Sequence, residues 1–142
     1  RTELVQFYHS EMESYPFKGS ENEIVRNHAK REALHILTVK QLERAILLKQ
    51  PQWVSRMLTM IGENLMLTGD ELLSSPTPIS LDVSLHEIYR TEIKKYATAT
   101  WMKAHRYITE GLHLSTRLGL AEDIQKKLAS LKEAIRSRIE KS

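Results

Sequence analysis

The chain of 142 residues sets 21 Lys and Arg against 18 Asp and Glu, a formal net charge of +3, with 41% hydrophobic residues and no Cys. That length suits one domain with a core large enough to need no covalent staple, and the missing Cys excludes disulfides and thiolate metal centres. The apolar share is too high for a disordered chain, and charges recur too often for a bilayer span, so no membrane partner is expected.

Apolar residues recur at spacings of three and four and the few Gly and Pro are clustered, which predicts helices throughout and no strand. A first helix is expected over about 3–14, stopped by the turn at 15–19. Ser20 with Glu23 then forms a capping-box pattern that opens a second helix. Val25, Ala29, Ala33, Ile36 and Leu37 define its predicted packing face, and the all-round apolar stretch at 45–48 predicts deep burial of its C-terminal half. Pro51 is expected in the first turn of a third helix, where its missing N–H costs nothing, and that helix should end near Gly69 and Asp70 or slightly later. An extended Pro-rich connector occupies 74–83. Ser84 with Glu87 is a second capping-box pattern, followed by a long helix with Leu85, Tyr89, Ile93, Tyr96, Tyr107, Leu114 and Leu118 on one face and a break near Thr98 to Thr100, where β-branching lowers propensity. Gly119 is its expected C-cap. A last helix starts near Ala121 with a narrow stripe of Ile124, Leu128, Leu131, Ile135 and Ile139, suited to one neighbour. Met57, Met60 and Met66 either fill the core or line an adaptable groove, and Trp53 and Trp101 read as core packing or as interface anchors.

The expectation is an all-α single domain over 1–142: five to six helices as an antiparallel bundle or a short stack of helical hairpins. Ala104, Tyr107, Leu114, Leu118-Gly119 and Glu122-Asp123, followed by a Leu/Ala-rich helix, resemble in cadence the terminal helices of tetratricopeptide repeats, although no 34-residue self-similarity accompanies them. The opening at Arg1 rather than Met suggests a piece of a longer chain. No charged-then-apolar leader precedes the first helix, and a cytoplasmic setting is the expectation.

Charge is partitioned along the chain: −3 over 1–24, +5 over 25–60, −5 over 61–92, +4 over 93–120 and +2 over 121–142. If the second and fourth predicted helices lie side by side, Arg26, Lys30, Arg31, Lys40 and Arg44 join Lys94, Lys95, Lys103 and Arg106 in one positive face for an acidic protein or nucleic acid. The competing expectation is that the acidic stretch 63–92 neutralises these cations within the fold. Arg106 and His113, two helical turns apart with Glu110 between them, resemble the Arg-to-His motif of the HEPN ribonuclease family. That resemblance implies phosphate binding by Arg106 and proton transfer by His113 in metal-independent RNA cleavage, in a cleft shared by two protomers. Glu32 with His35 and Glu110 with His113 repeat the Glu-x-x-His spacing of ferritin-like di-iron bundles, but no bridging glutamate at matching depth is offered by Glu63, Glu71 or Glu87. No phosphate loop or nucleophile motif occurs, so no metal and no cofactor is expected. The sequence therefore predicts a helical interaction, adaptor or regulatory domain that binds a protein partner through a helix face without catalysis, with a homodimer compatible. Two alternatives stand beside it: a HEPN-like ribonuclease using Arg106, Glu110 and His113, and a nucleic-acid-binding domain using the basic helices.

Overall fold

A computed structural model describes residues 21–47 and 51–142 of the chain. The expected helix over 3–14, its turn and the Ser20 cap lie outside the described residues. Four α-helices and one 3₁₀ turn make up the described part, which contains no strand: α1 (Glu21–Leu47), α2 (Pro51–Ser74), the 3₁₀ turn (Val83–Leu85), α3 (His86–Arg117) and α4 (Glu122–Lys141). No helix among the described residues is long and apolar enough to cross a membrane.

The core is built mainly by α2, α3 and α4, and Leu42 of α1 joins it. On α2, Val54, Met57, Leu58, Ile61, Leu65 and Leu72 are buried at the three-and-four spacing of one helix face. Met57 fills the core rather than a groove, and Trp53, Met60 and Met66 pack against it from the margin. The helix runs past Gly69 and Asp70 to Ser74, with Gly69 in its interior. That glycine has a packing reason: a Cβ there would lie 2.6 Å from Cδ1 and 2.9 Å from Cε2 of Trp101. The indole therefore rests on the α2 backbone and donates its N–H to the Met66 carbonyl at 3.1 Å. Termination comes from the far side, where the Arg90 guanidinium donates to the carbonyls of Leu73 and Ser75, both at 2.6 Å, and satisfies acceptors that a helix end leaves open.

The predicted capping box at Ser84 does not form. Asp82 instead accepts from the Ser84 amide at 3.4 Å and caps the 3₁₀ turn, so α3 starts after Leu85 with no side-chain cap. Nor does α3 break at Thr98 to Thr100. Both hydroxyls donate to the carbonyl four residues back, at 2.9 Å, which accommodates β-branched residues inside a continuous helix.

The face of α3 that packs also differs from the expected one. Ala97, Trp101, Ala104, Ile108, Gly111 and Ser115 are buried, whereas Leu85, Tyr96 and Leu118 are exposed and Tyr107 and Leu114 are only partly covered. Small residues make the difference. Along α2, Leu58, Gly62 and Gly69 meet Gly111, Ile108 and Trp101 in turn, so the two helices run in opposite directions at a separation that large side chains would not permit. Large side chains such as Leu and Tyr have more apolar area to bury than Ala, Gly and Ser, but close approach favours the small ones.

At the α3 end, Gly119 adopts φ +64°, and the Leu120 amide reaches the Ser115 carbonyl at 2.9 Å, the αL stop expected of a glycine here. The α4 stripe is as expected: Leu128 and Ile135 are fully buried, and Ile124, Leu131 and Ile139 pack around them. The helix as a whole has two neighbours, since Arg138 grips Asp70 of α2 in a two-pronged pair at 2.8 and 3.0 Å and Lys127 meets Glu63 of α2 at 3.3 Å.

The α1 helix corrects the sequence reading most. Its expected packing face lies outward: Val25 is 65% and Ile36 52% exposed, with Leu37, Ala29 and Ala33 also exposed. Arg31, Thr38 and Leu42 are buried instead. The cause lies on α2, which presents Glu71 and Thr68 to this side. Arg31 donates to the Glu71 carboxylate and, at 2.8 Å, to the Thr68 hydroxyl, while Thr38 satisfies itself on the Leu34 carbonyl. A guanidinium buried in this seam needs an acceptor more than the seam needs another aliphatic contact. Of the apolar C-terminal half expected to be deeply buried, Leu42 is buried, and the side chains of 45–48 lie outside the described residues.

Candidate functional site

Four of the six carboxylates in the acidic stretch 63–92 form ion pairs. Glu63 pairs with Lys127, Asp70 with Arg138, Glu71 with Arg31 and Glu92 with Lys95. Among the described residues, no ion pair reaches Lys103, Arg106 or Arg117. These three cations occupy one flank of α3 with Glu110 and His113. Positions 103, 110 and 117 are two turns apart, as are 106 and 113, so the five side chains form a row.

That row borders an open cleft of about 520 Å³ between α2 and the C-terminal half of α3. Val54 and Leu58 of α2 with Tyr107 and Leu114 of α3 line its apolar floor, and Lys103, Arg106, Glu110, His113 and Arg117 line its rim. The structure thus brings Arg106, Glu110 and His113 to one accessible surface, all three exposed. Arg117, Tyr107, Val54 and Leu58 were not among the sequence candidates. Extending the seven-residue step from 103 through 110 to 117 would have found Arg117, whereas the floor required knowing which face of α2 meets α3.

The other basic candidates are not assembled with this row. Arg31 is withdrawn into the α1–α2 seam at 6% exposure. Lys95 pairs with Glu92, and Lys94 borders a second cavity with Trp101 and Arg138. Arg26, Lys30, Lys40 and Arg44 are exposed on α1. The backbones of α1 and α3 do not approach one another among the described residues. Two edge-on ring contacts bridge them, His28 with Tyr96 at 6.0 Å and His35 with Tyr107 at 6.3 Å. Burial, then the carboxylate of Glu32, raises the pKa of the Tyr96 phenol above its usual 10.0.

His35 contacts Tyr107 of the cleft floor edge-on. Burial holds its pKa below the usual 6.5, the Lys103 ammonium adds to that effect, and Glu32 opposes it. The folded state therefore binds a proton at His35 less readily than the unfolded chain. Its contribution to stability is complete above pH 6.5 and is lost as pH falls from 6.5 through the lowered folded value. Urea midpoints measured at about pH 7.5 and about pH 5 should fall more for the native chain than for His35→Phe, which keeps a ring against Tyr107 without a titrating nitrogen. Equal falls would show that His35 does not couple protonation to folding.

Glu32 with His35 and Glu110 with His113 lie on different helices, α1 and α3, and no group of three or more His, Asp and Glu able to hold a metal ion occurs among the described residues. Comparison with known proteins finds no matching family model, no matching curated protein and no matching solved structure. The tetratricopeptide and HEPN resemblances therefore rest on their residues alone.

Proposed function

We propose that the domain is a non-catalytic interaction module that engages a partner macromolecule through the α2–α3 cleft. The observation that carries this reading is the row of Lys103, Arg106 and Arg117, left without ion pairs among the described residues while the acidic stretch neutralises other cations, over an aliphatic floor. Surface cations beside the partly exposed Tyr107 and Leu114 supply the two contributions a specific interface needs: steering and register from charge, and affinity from burial.

A second reading draws on the exposure of Arg106 and His113 in one cleft, which is compatible with metal-independent RNA cleavage. The chemistry would need Arg106 to hold a phosphate while His113 transfers a proton. Site-specific photo-crosslinking separates the two. A photoreactive phenylalanine in place of Tyr107 should give a discrete protein adduct, and purified domain should leave labelled RNA intact. RNA cleavage that disappears in both Arg106→Ala and His113→Ala would replace the interaction reading with the nuclease.

A further inference from the structure

Resting on the interaction reading above, we infer that the occupant of the cleft is an acidic amphipathic helix of a protein partner, its apolar side chains on the partly exposed Leu114 and Tyr107 over the buried Val54 and Leu58, and its carboxylates along Lys103, Arg106 and Arg117. The length fits. From 103 to 117 the row spans 14 residues of α3, about 21 Å at 1.5 Å per residue, which is four turns of an apposed helix. Carboxylates spaced at three, four and seven residues on such a helix would face the row, while Leu or Phe on the adjoining stripe would enter the cleft.

The floor distinguishes this occupant from a nucleic acid. Single strands are held by aromatic platforms on which bases stack. Here the floor holds one aromatic ring, Tyr107, which His35 engages edge-on at 85° and 6.3 Å, and its other members are Val and Leu. Aliphatic surface gains nothing specific from a base or a phosphate, but it gains burial from Leu or Phe. Charge makes the same selection against a purely apolar helix, since covering Lys103, Arg106 and Arg117 without carboxylates would strip them of water uncompensated.

Glu110 sharpens the inference, because it sits in the middle of the row and repels an incoming carboxylate. Glu110→Gln should tighten an acidic ligand several-fold and leave an uncharged one unaffected.

The test is selection from a displayed library of randomised helical peptides on the immobilised 142-residue chain, with counter-selection on Arg106→Glu/Arg117→Glu. Enriched peptides should carry Asp or Glu at helical spacing beside Leu or Phe. They should lose at least about tenfold in affinity against that double variant and against Leu114→Ala, bind tighter to Glu110→Gln, and weaken as salt rises. Lys126→Glu, on α4 and outside the cleft lining, should bind as the native chain does. Enrichment of cleft-dependent peptides without acidic residues would overturn the acidic-helix assignment and leave the interaction reading standing. So would cleft-dependent binding of a single-stranded RNA oligonucleotide in their place. If neither peptide nor RNA depends on Arg106 and Arg117, both readings fail.

Discussion

Trp101→Ala should cost about 3–5 kcal/mol of folding stability, the range for removing a large buried aromatic side chain. The indole is 4% exposed, lies against the bare backbone at Gly69 and bonds the Met66 carbonyl. Removal leaves a cavity that a glycine cannot help to fill, and the Met66 carbonyl loses a donor. Urea denaturation followed by far-ultraviolet circular dichroism reads the loss directly. Trp101→Phe should recover much of the burial but not the hydrogen bond, and so fall between the two. A Trp101→Ala domain within about 1 kcal/mol of the native chain would mean that the α2–α3 seam is not the centre of the core.

Arg31→Ala is expected to act almost as strongly and far more locally. Breaking a buried ion pair from one side costs about 3–5 kcal/mol, and the effect here belongs at the lower end because the Glu71 side chain keeps 36% of its exposure. The Thr68 hydroxyl loses a donor at the same time. Because the seam between α1 and α2 depends on this pair, amide exchange should accelerate in α1 well before α3 and α4. Arg31→Met with Glu71→Leu removes both charges and should restore much of the protection. Uniform acceleration across all four helices would show instead that α1 unfolds only with the rest.

These two residues also mark where the sequence was informative and where it was not. The start of α2 at Pro51, the stop at Gly119 and the α4 stripe were legible because each is decided locally, by a missing N–H, a positive φ or a clean spacing of large aliphatic residues. The α1 face was not legible, because Arg31 is buried by Glu71 and Thr68 forty and thirty-seven residues away. The α3 stripe was misread for a related reason, since Ala97, Ala104 and Gly111 earn their burial from how near α2 comes. Ser84 resembled a cap until Asp82 preceded it in the same turn.

At the candidate site the position of Arg106 and His113 on one helix flank followed from their spacing alone. Their freedom from the acidic stretch did not, because each carboxylate had several possible partners and only the packing of α4 and α1 decides which it takes. Partition of charge along the chain thus becomes partition in space: the acids at Glu63, Asp70, Glu71 and Glu92 are engaged, and the cations of the cleft carry no ion pair among the described residues.

Photo-crosslinking from position 107 tests the role of the cleft most directly. Photoreactive residues placed singly at Tyr107, at Met102 on an exposed part of α3 outside the cleft, and at Ile36 on the outward face of α1 should give a discrete protein adduct from 107 alone. Introducing Arg106→Glu and Arg117→Glu together should abolish that adduct. Equal adducts from 102 or 36, or an adduct at 107 that survives the charge reversal, would contradict the assignment of the α2–α3 cleft as the partner surface.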